Sequence, residues 1–165
     1  MQVPVRRSER YNKKPKLDPY LTKEKFIELE NKLNRLKENH PRLAAEVKRL
    51  AEMGDFSENA GYQLAKGRLR GTNQRILDLE YQLKHSIIIE PDNNGLIQIG
   101  NKVILKNRDK EKSYLILGST ESDPTAGIIS HNSPLGSALI GKRIGERVKI
   151  QLKDREIEYE IMDIK

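Results

Sequence analysis

The apolar positions of residues 21–90 advance by steps of three and four. In the first half they are Phe26, Leu29, Leu33, Leu36, His40, Leu43, Val47 and Leu50, with only His40 breaking the apolar character. In the second half they are Tyr62, Ala65, Leu69, Thr72, Ile76, Leu79 and Leu83. Such spacing puts each set on one face of an α-helix. Thr22 has the chemistry of an N-cap, and Glu24 follows it in the first turn. Pro41 falls inside the first pattern, where it removes a backbone donor and crowds the turn before it. The seam keeps its register beyond Pro41, so one bent helix is expected rather than two. Two seams of similar length, joined by a short Gly-containing turn, predict an antiparallel coiled-coil hairpin. Arms of about 30 residues would give a rod of roughly 45 Å. Gly61, Gly67 and Gly71 weaken the second arm by about 1 kcal/mol each, which packing along the seam must offset.

The period changes at "EPDNNGLIQIG", where Pro91 and Asn-Asn-Gly are turn residues, and residues 91–98 read as a linker. Beyond it come short strand-like runs at Lys102–Lys106, Ser113–Leu117, Ile128–Ile129, Arg147–Leu152 and Glu156–Ile164. The last two flank "KDRE" as hairpin strands would, with Ile157, Tyr159 and Ile161 alternating against Glu156, Glu158 and Glu160. "SPLGSALIGK" interrupts the runs with a short helix, Pro134 near its first turn. Residues 99–165 are therefore expected to form a small, mostly antiparallel α+β domain.

Composition agrees with a solvated helical element beside a small folded domain, since 36% of the 165 residues are hydrophobic and 33% charged. There is no cysteine, which excludes disulfides and thiolate chemistry and fits a reducing cytoplasm. His40, His85 and His131 are too scattered for metal-ligand spacing. No apolar run approaches the ~20 residues of a membrane span, and the N-terminus lacks a signal-peptide core. The net charge of +7 is uneven. Residues 1–20 carry six Lys/Arg against two acids, 21–90 thirteen against eleven, and 91–165 twelve against eleven. The first twenty residues, with three prolines, read as a basic disordered arm: a solvated tail, or a tether to nucleic acid.

Between the two seams lies "MGDFSENAGY", with the acidic tip of the hairpin at residues 54–59. Asp55 and Glu58 have the spacing of a capping box, in which each side chain would accept from the other's amide. The alternative is chemistry. The pair would be displayed at the end of a rod, where no core needs it, with Lys48, Arg49, Lys66, Arg68 and Arg70 within a few turns. Two carboxylates are too few for a complete Mg²⁺ shell of six oxygens, so any such ion would be shared with a partner or substrate. The basic residues are equally ordinary on a solvated coiled-coil flank. No nucleophile–base pairing, P-loop or dinucleotide fingerprint stands out.

"GDFSENAGYQ" resembles the Gly-Asp-x-x-Glu-Asn-Ala-acidic-Tyr tip of the bacterial Gre transcript-cleavage factors. "SPLGSALIGKRIGERVKI" resembles their C-terminal Ser-Pro-Leu-Gly…Ala-Leu-Ile-Gly-Lys signature, and "YLTKE" their usual opening. The likeness spans residues 20–165. "YQLAKGRLR" leans toward the GreB type, while the C-terminal signature looks more like GreA. Gly61 departs from the acidic residue usual before the tyrosine, and the basic arm before Tyr20 is longer than the family normally has.

The resemblance implies a coiled-coil hairpin followed by an FKBP-like domain that docks at the rim of the RNA polymerase secondary channel. The hairpin would enter that channel, where Asp55 and Glu58, as catalytic and metal-holding residues, would share Mg²⁺ with polymerase. The backtracked RNA 3′ end would then be cut by the polymerase's own nuclease, so the protein would be an activator and not an enzyme. Ser57, Asn59 and Tyr62 match the family tip and would shape it. Lys66, Arg68 and Arg70 would contact RNA or the channel wall. Ser133, Pro134 and Leu135 match the docking signature, although a helix start and core packing would explain them as well. The expected partners are RNA polymerase and the nascent RNA 3′ end, with the protein a cytoplasmic monomer that binds no metal alone. The alternatives are a non-cleaving regulator in the same channel, suggested by Gly61, and a prolyl isomerase. The second alternative is poorly served by Tyr114 and Tyr159 as the domain's only aromatics.

Overall fold

The computed structural model describes residues 17–53, 59–92, 94–152 and 155–165. Residues 1–16 of the expected arm, and Asp55, Ser57 and Glu58 of the tip, lie outside the described residues. The chain divides into two compact units, Thr22–Ile88 and a second comprising Ile89–Lys165 together with the N-terminal residues through Leu21.

The first unit is the expected hairpin of two paired helices, α1 (Lys23–Glu52) and α2 (Ala60–Lys84). Thr22 caps α1 as its sequence suggests, its Oγ1 accepting from the Lys25 amide at 3.2 Å. α1 runs unbroken through Pro41. Every position of both seams is buried or half-buried, with Leu29, Leu33 and Ala65 the most enclosed. The half-buried His40 and Thr72 keep the seam from being wholly apolar. Lys37 Nζ meets Glu80 Oε1 at 2.7 Å across the helix pair. Both side chains are about half exposed, so this pair contributes under about 1 kcal/mol.

The second unit is α+β. Short strand β1 (Tyr20–Leu21) opens it, and β2 (Ile87–Ile88) ends the hairpin unit. Its sheet comprises β3 (Lys102–Asn107), β4 (Lys110–Leu117), β5 (Ile128–Ser130), β6 (Arg147–Leu152) and β7 (Arg155–Ile164), in the order β5-β4-β3-β7-β6. All neighbours are antiparallel except β4 and β5. α3 (Pro134–Leu139) lies between β5 and β6 in the chain. Alternation along the strands sends Val103, Leu105, Val148 and Ile161 inward to meet Ile97, Ile116 and Leu139. A register shift between Ile104 and Leu105 lets β7 keep Ile161 in that core.

Two expected boundaries move. Residues 91–98, read as a linker, end inside the core, because Ile97 is fully buried. Its amide donates to Lys142 O and its carbonyl accepts from the Gly141 amide, both at 2.8 Å. The arm read as residues 1–20 likewise gives way to structure before Tyr20. Asp18 is buried, and the Ile89 amide donates to Leu21 O at 2.9 Å.

Candidate functional site

At the end of the hairpin, the helix cap falls one residue beyond the acidic pair in the chain. α2 begins at Ala60, and its cap is Asn59. Asn59 Oδ1 accepts from the Tyr62 amide at 2.9 Å, while its Nδ2 donates to Leu50 O at 3.1 Å. One amide side chain thereby satisfies a free donor of the second helix and gives a second donor to a terminal carbonyl of the first, which also accepts from the Met53 amide at 3.4 Å. The capping that the Asp55–Glu58 spacing suggested is, for α2, supplied by Asn59. An asparagine can do both jobs because it carries donor and acceptor together. The signal in the sequence was an Asn directly before "AGYQLA", overshadowed by the nearer capping-box spacing.

Gly61 sits beside this tie. A Cβ there would lie 3.3 Å from Asn59 Oδ1 and 3.9 Å from Leu50 Cδ2. A larger residue would thus press on the side chain that closes the helix ends. Tyr62 is half-buried, and Lys66 Nζ lies 5.6 Å from its ring centroid, a cation–π contact. Lys66, Arg68 and Arg70 are all exposed. The helical repeat separates them: Lys66 and Arg70 share one flank of the seam, and Arg68 takes the opposite flank. The described residues contain no group of three or more His, Cys, Asp or Glu placed to hold a metal ion.

The docking signature has a different local logic. Ser133 is the N-cap of α3, its Oγ accepting from the Gly136 amide at 3.0 Å and donating to Ser130 O at 2.6 Å. Pro134 occupies the first helical turn, where its missing N–H is no loss, and stays exposed. Leu135 packs against the core. A side chain at Gly136 would run into Ser130 O, so only glycine allows α3 to start this close to β5. Ser133 and Leu135 therefore build the fold, and Pro134 faces solvent.

Sequence reasoning missed a cluster around Asp18. Its Oδ2 accepts from the Ser119 amide and hydroxyl, each at 2.7 Å, and from Asn132 Nδ2 at 3.2 Å. Its Oδ1 accepts from the Tyr20 amide at 3.2 Å, and His131 Nδ1 stands 3.4 Å from Oδ2. Burial pushes this carboxyl up. The Ser119 hydroxyl and amide, the Tyr20 amide and the His131 imidazole outweigh burial and hold it below the usual carboxylate range. Tyr20 and His131 also meet ring edge to ring face, their centroids 5.3 Å apart.

With these geometries in hand, the family models decide the lineage. The one described as "Transcription elongation factor, GreA/GreB, C-term" matches residues 92–165, and "Transcription elongation factor, N-terminal" matches residues 19–88. The chain belongs to the GreA/GreB family of transcription elongation factors. Transcription elongation factor GreA of Nitratiruptor sp. is 34% identical over 148 residues, covering 87% of this chain and 91% of that protein. Its counterpart in Thermosipho africanus is 39% identical over 149 residues, covering 88% and 96%. Among solved structures, GreA factor homolog 1 of Thermus thermophilus aligns at 26% identity over 90% of this chain and 99% of that one, with a TM-score of 0.42. Within this GreA/GreB chain, no helix among the described residues is long and apolar enough to cross a membrane.

Proposed function

We infer that this elongation factor rescues backtracked RNA polymerase by inserting the Thr22–Ile88 hairpin into the secondary channel, with the Ile89–Lys165 unit docked at the rim. The observation that carries this reading is where the acidic pair falls in the chain. Asp55 and Glu58 lie between the end of α1 and Asn59, the residue that joins the two helix ends. Their carboxylate oxygens suit Mg²⁺, which prefers six oxygen ligands, so polymerase and RNA supply the rest. When bound, such an ion lowers the pKa of a water and stabilises the oxygen leaving the phosphodiester. Asp55 and Glu58 hold and orient; Ser57, Asn59 and Tyr62 set the backbone that carries them. Lys66, Arg68 and Arg70 attract the phosphates of the extruded RNA 3′ segment. The nuclease is the polymerase's own, and the protein works as a cytoplasmic monomer that activates it.

A second reading, a channel regulator that does not cleave, is favoured by Gly61, which lacks the acidic side chain usual in the family tip. One assay separates them. Added to stalled, backtracked polymerase complexes, the protein is expected to shorten the RNA from its 3′ end. Asp55→Asn and Glu58→Gln are each expected to abolish that cleavage and change unfolding by less than about 0.5 kcal/mol. Cleavage at the parent rate by both variants would sink the metal-holding role. Polymerase binding by the parent protein without cleavage would establish the second reading.

A further inference from the structure

We propose that Asp18 is a positioning residue for the docking surface, holding the Ser130–Asn132 loop so that the start of α3, with its exposed Pro134, is presented to a protein partner. This rests on reading the Ile89–Lys165 unit as the element that docks on polymerase.

Three facts carry it. First, Asp18 is a deeply enclosed acid, with its side chain only 5% exposed, in a protein whose proposed mechanism does not use it. A buried carboxylate is costly unless several donors compensate it, so the donors around it are held in place as tightly as it is. Second, those donors come from Ser119 and Asn132, which lie 101 and 114 residues away in sequence. Asp18 thus clamps the turn after β4 to the loop after β5.

Third, a continuous chain of hydrogen bonds leads from Asp18 to the docking signature. The Ser119 hydroxyl gives its one proton to Asp18 Oδ2, so in its contact with Ser130 Oγ at 2.8 Å the Ser130 hydroxyl must donate. Ser130 Oγ in turn accepts from the Asn132 amide at 3.1 Å. The Ser130 carbonyl accepts from the Ser133 amide at 2.9 Å and the Ser133 hydroxyl at 2.6 Å, setting where α3 begins. Removing the carboxylate frees the Ser119 proton and leaves Asn132 Nδ2 with only its longer contact, to Ser119 Oγ at 3.3 Å. The Ser130–Ser133 turn then loses the anchor that selects its conformation, while the sheet core of Ile97, Val103, Leu105 and Ile161 has no part in the chain.

The test uses the full-length protein with bacterial RNA polymerase. Binding of a fluorescently labelled protein is measured by anisotropy, and cleavage of backtracked complexes is followed across a range of factor concentrations. Asp18→Ala is expected to raise both Kd and the half-saturating concentration about tenfold. The cleavage rate at saturation is expected to stay within about twofold. Hydrogen exchange in residues 130–137 should accelerate at the same time, and Asp18→Asn, which keeps one acceptor oxygen, should restore part of the affinity. Asn132→Ala alters an exposed side chain, so it keeps the test available if Asp18→Ala does not fold. It should move affinity in the same direction by a smaller factor. Unchanged affinity in both variants overturns the proposal with the docking reading intact. If the parent protein does not bind polymerase, the docking reading falls, and this proposal with it.

Discussion

Replacing Asn59 with alanine tests whether one side chain closes the end of the hairpin. The substitution removes the acceptor for the Tyr62 amide and the donor to Leu50 O. An N-cap contributes typically about 1 kcal/mol. A half-buried hydrogen bond to a helix-terminal carbonyl contributes about another 1 kcal/mol. Local opening of the helix ends should therefore become easier by about 2 kcal/mol, a factor of roughly thirty. Because the chain has two units, a single melting temperature would blur this effect. Native-state hydrogen exchange reads it residue by residue. The Tyr62 amide is expected to exchange about thirtyfold faster, while amides near Leu33 and Leu79, several turns away, keep the parent rate. Asn59→Asp retains an acceptor for Tyr62 but points an oxygen at the Leu50 carbonyl. It should fall between the two, at about fivefold. If the alanine variant exchanges within twofold of the parent at Tyr62, the tie is not what holds the helix ends together.

Glycine substitutions should divide by surroundings. Gly67 and Gly71 have open space where a Cβ would go, so alanine at either should stabilise the hairpin by about 0.5–1 kcal/mol, measured by urea unfolding followed at 222 nm. Gly118→Ala should do the reverse, since its Cβ would run into the Tyr20 carbonyl; released protection at Tyr20 and Leu21 in hydrogen exchange would show it. Asp18 makes the second unit acid-sensitive. Its folded pKa lies below the unfolded value of about 3.9, so its contribution is complete above that pH and lost as pH falls through the folded pKa. Urea unfolding of the parent should weaken between pH 5 and pH 2 more than that of Asp18→Asn, and identical pH profiles would contradict this.

What could be read from residue order alone was whatever repeats. The three-four steps from Phe26 to Leu50 and from Tyr62 to Leu83 placed both helices and their shared face, because a coiled coil writes its contact surface into the period. The alternation of Ile157, Tyr159 and Ile161 placed β7 in the same way. β4, however, begins at Lys110, three residues before its expected start, because "KEK" pairs with β3 without burying a side chain and so leaves no pattern. Ile97 was hidden among turn residues, and only the partners Gly141 and Lys142 reveal it as core. The Asp18 cluster was the least visible of all. An aspartate among lysines and prolines looks solvated, and nothing local announces donors more than a hundred residues downstream. At the tip, the family motif named the residues, while Asn59 took the cap that spacing had offered to Asp55.

The Leu21–Ile89 hydrogen bond has a practical corollary. The chain leaves the second unit and re-enters it at adjacent points, so in chain order the hairpin is an insertion between two segments of that unit. A fragment cut at residue 91 would discard the fully enclosed Leu21 and the carboxylate of Asp18, and should be a poor imitation of the intact unit. A faithful miniature would retain residues 17–21 and splice them through a short bridge to Ile89. By the same token, hairpins could be exchanged between relatives at those two seams without disturbing the sheet.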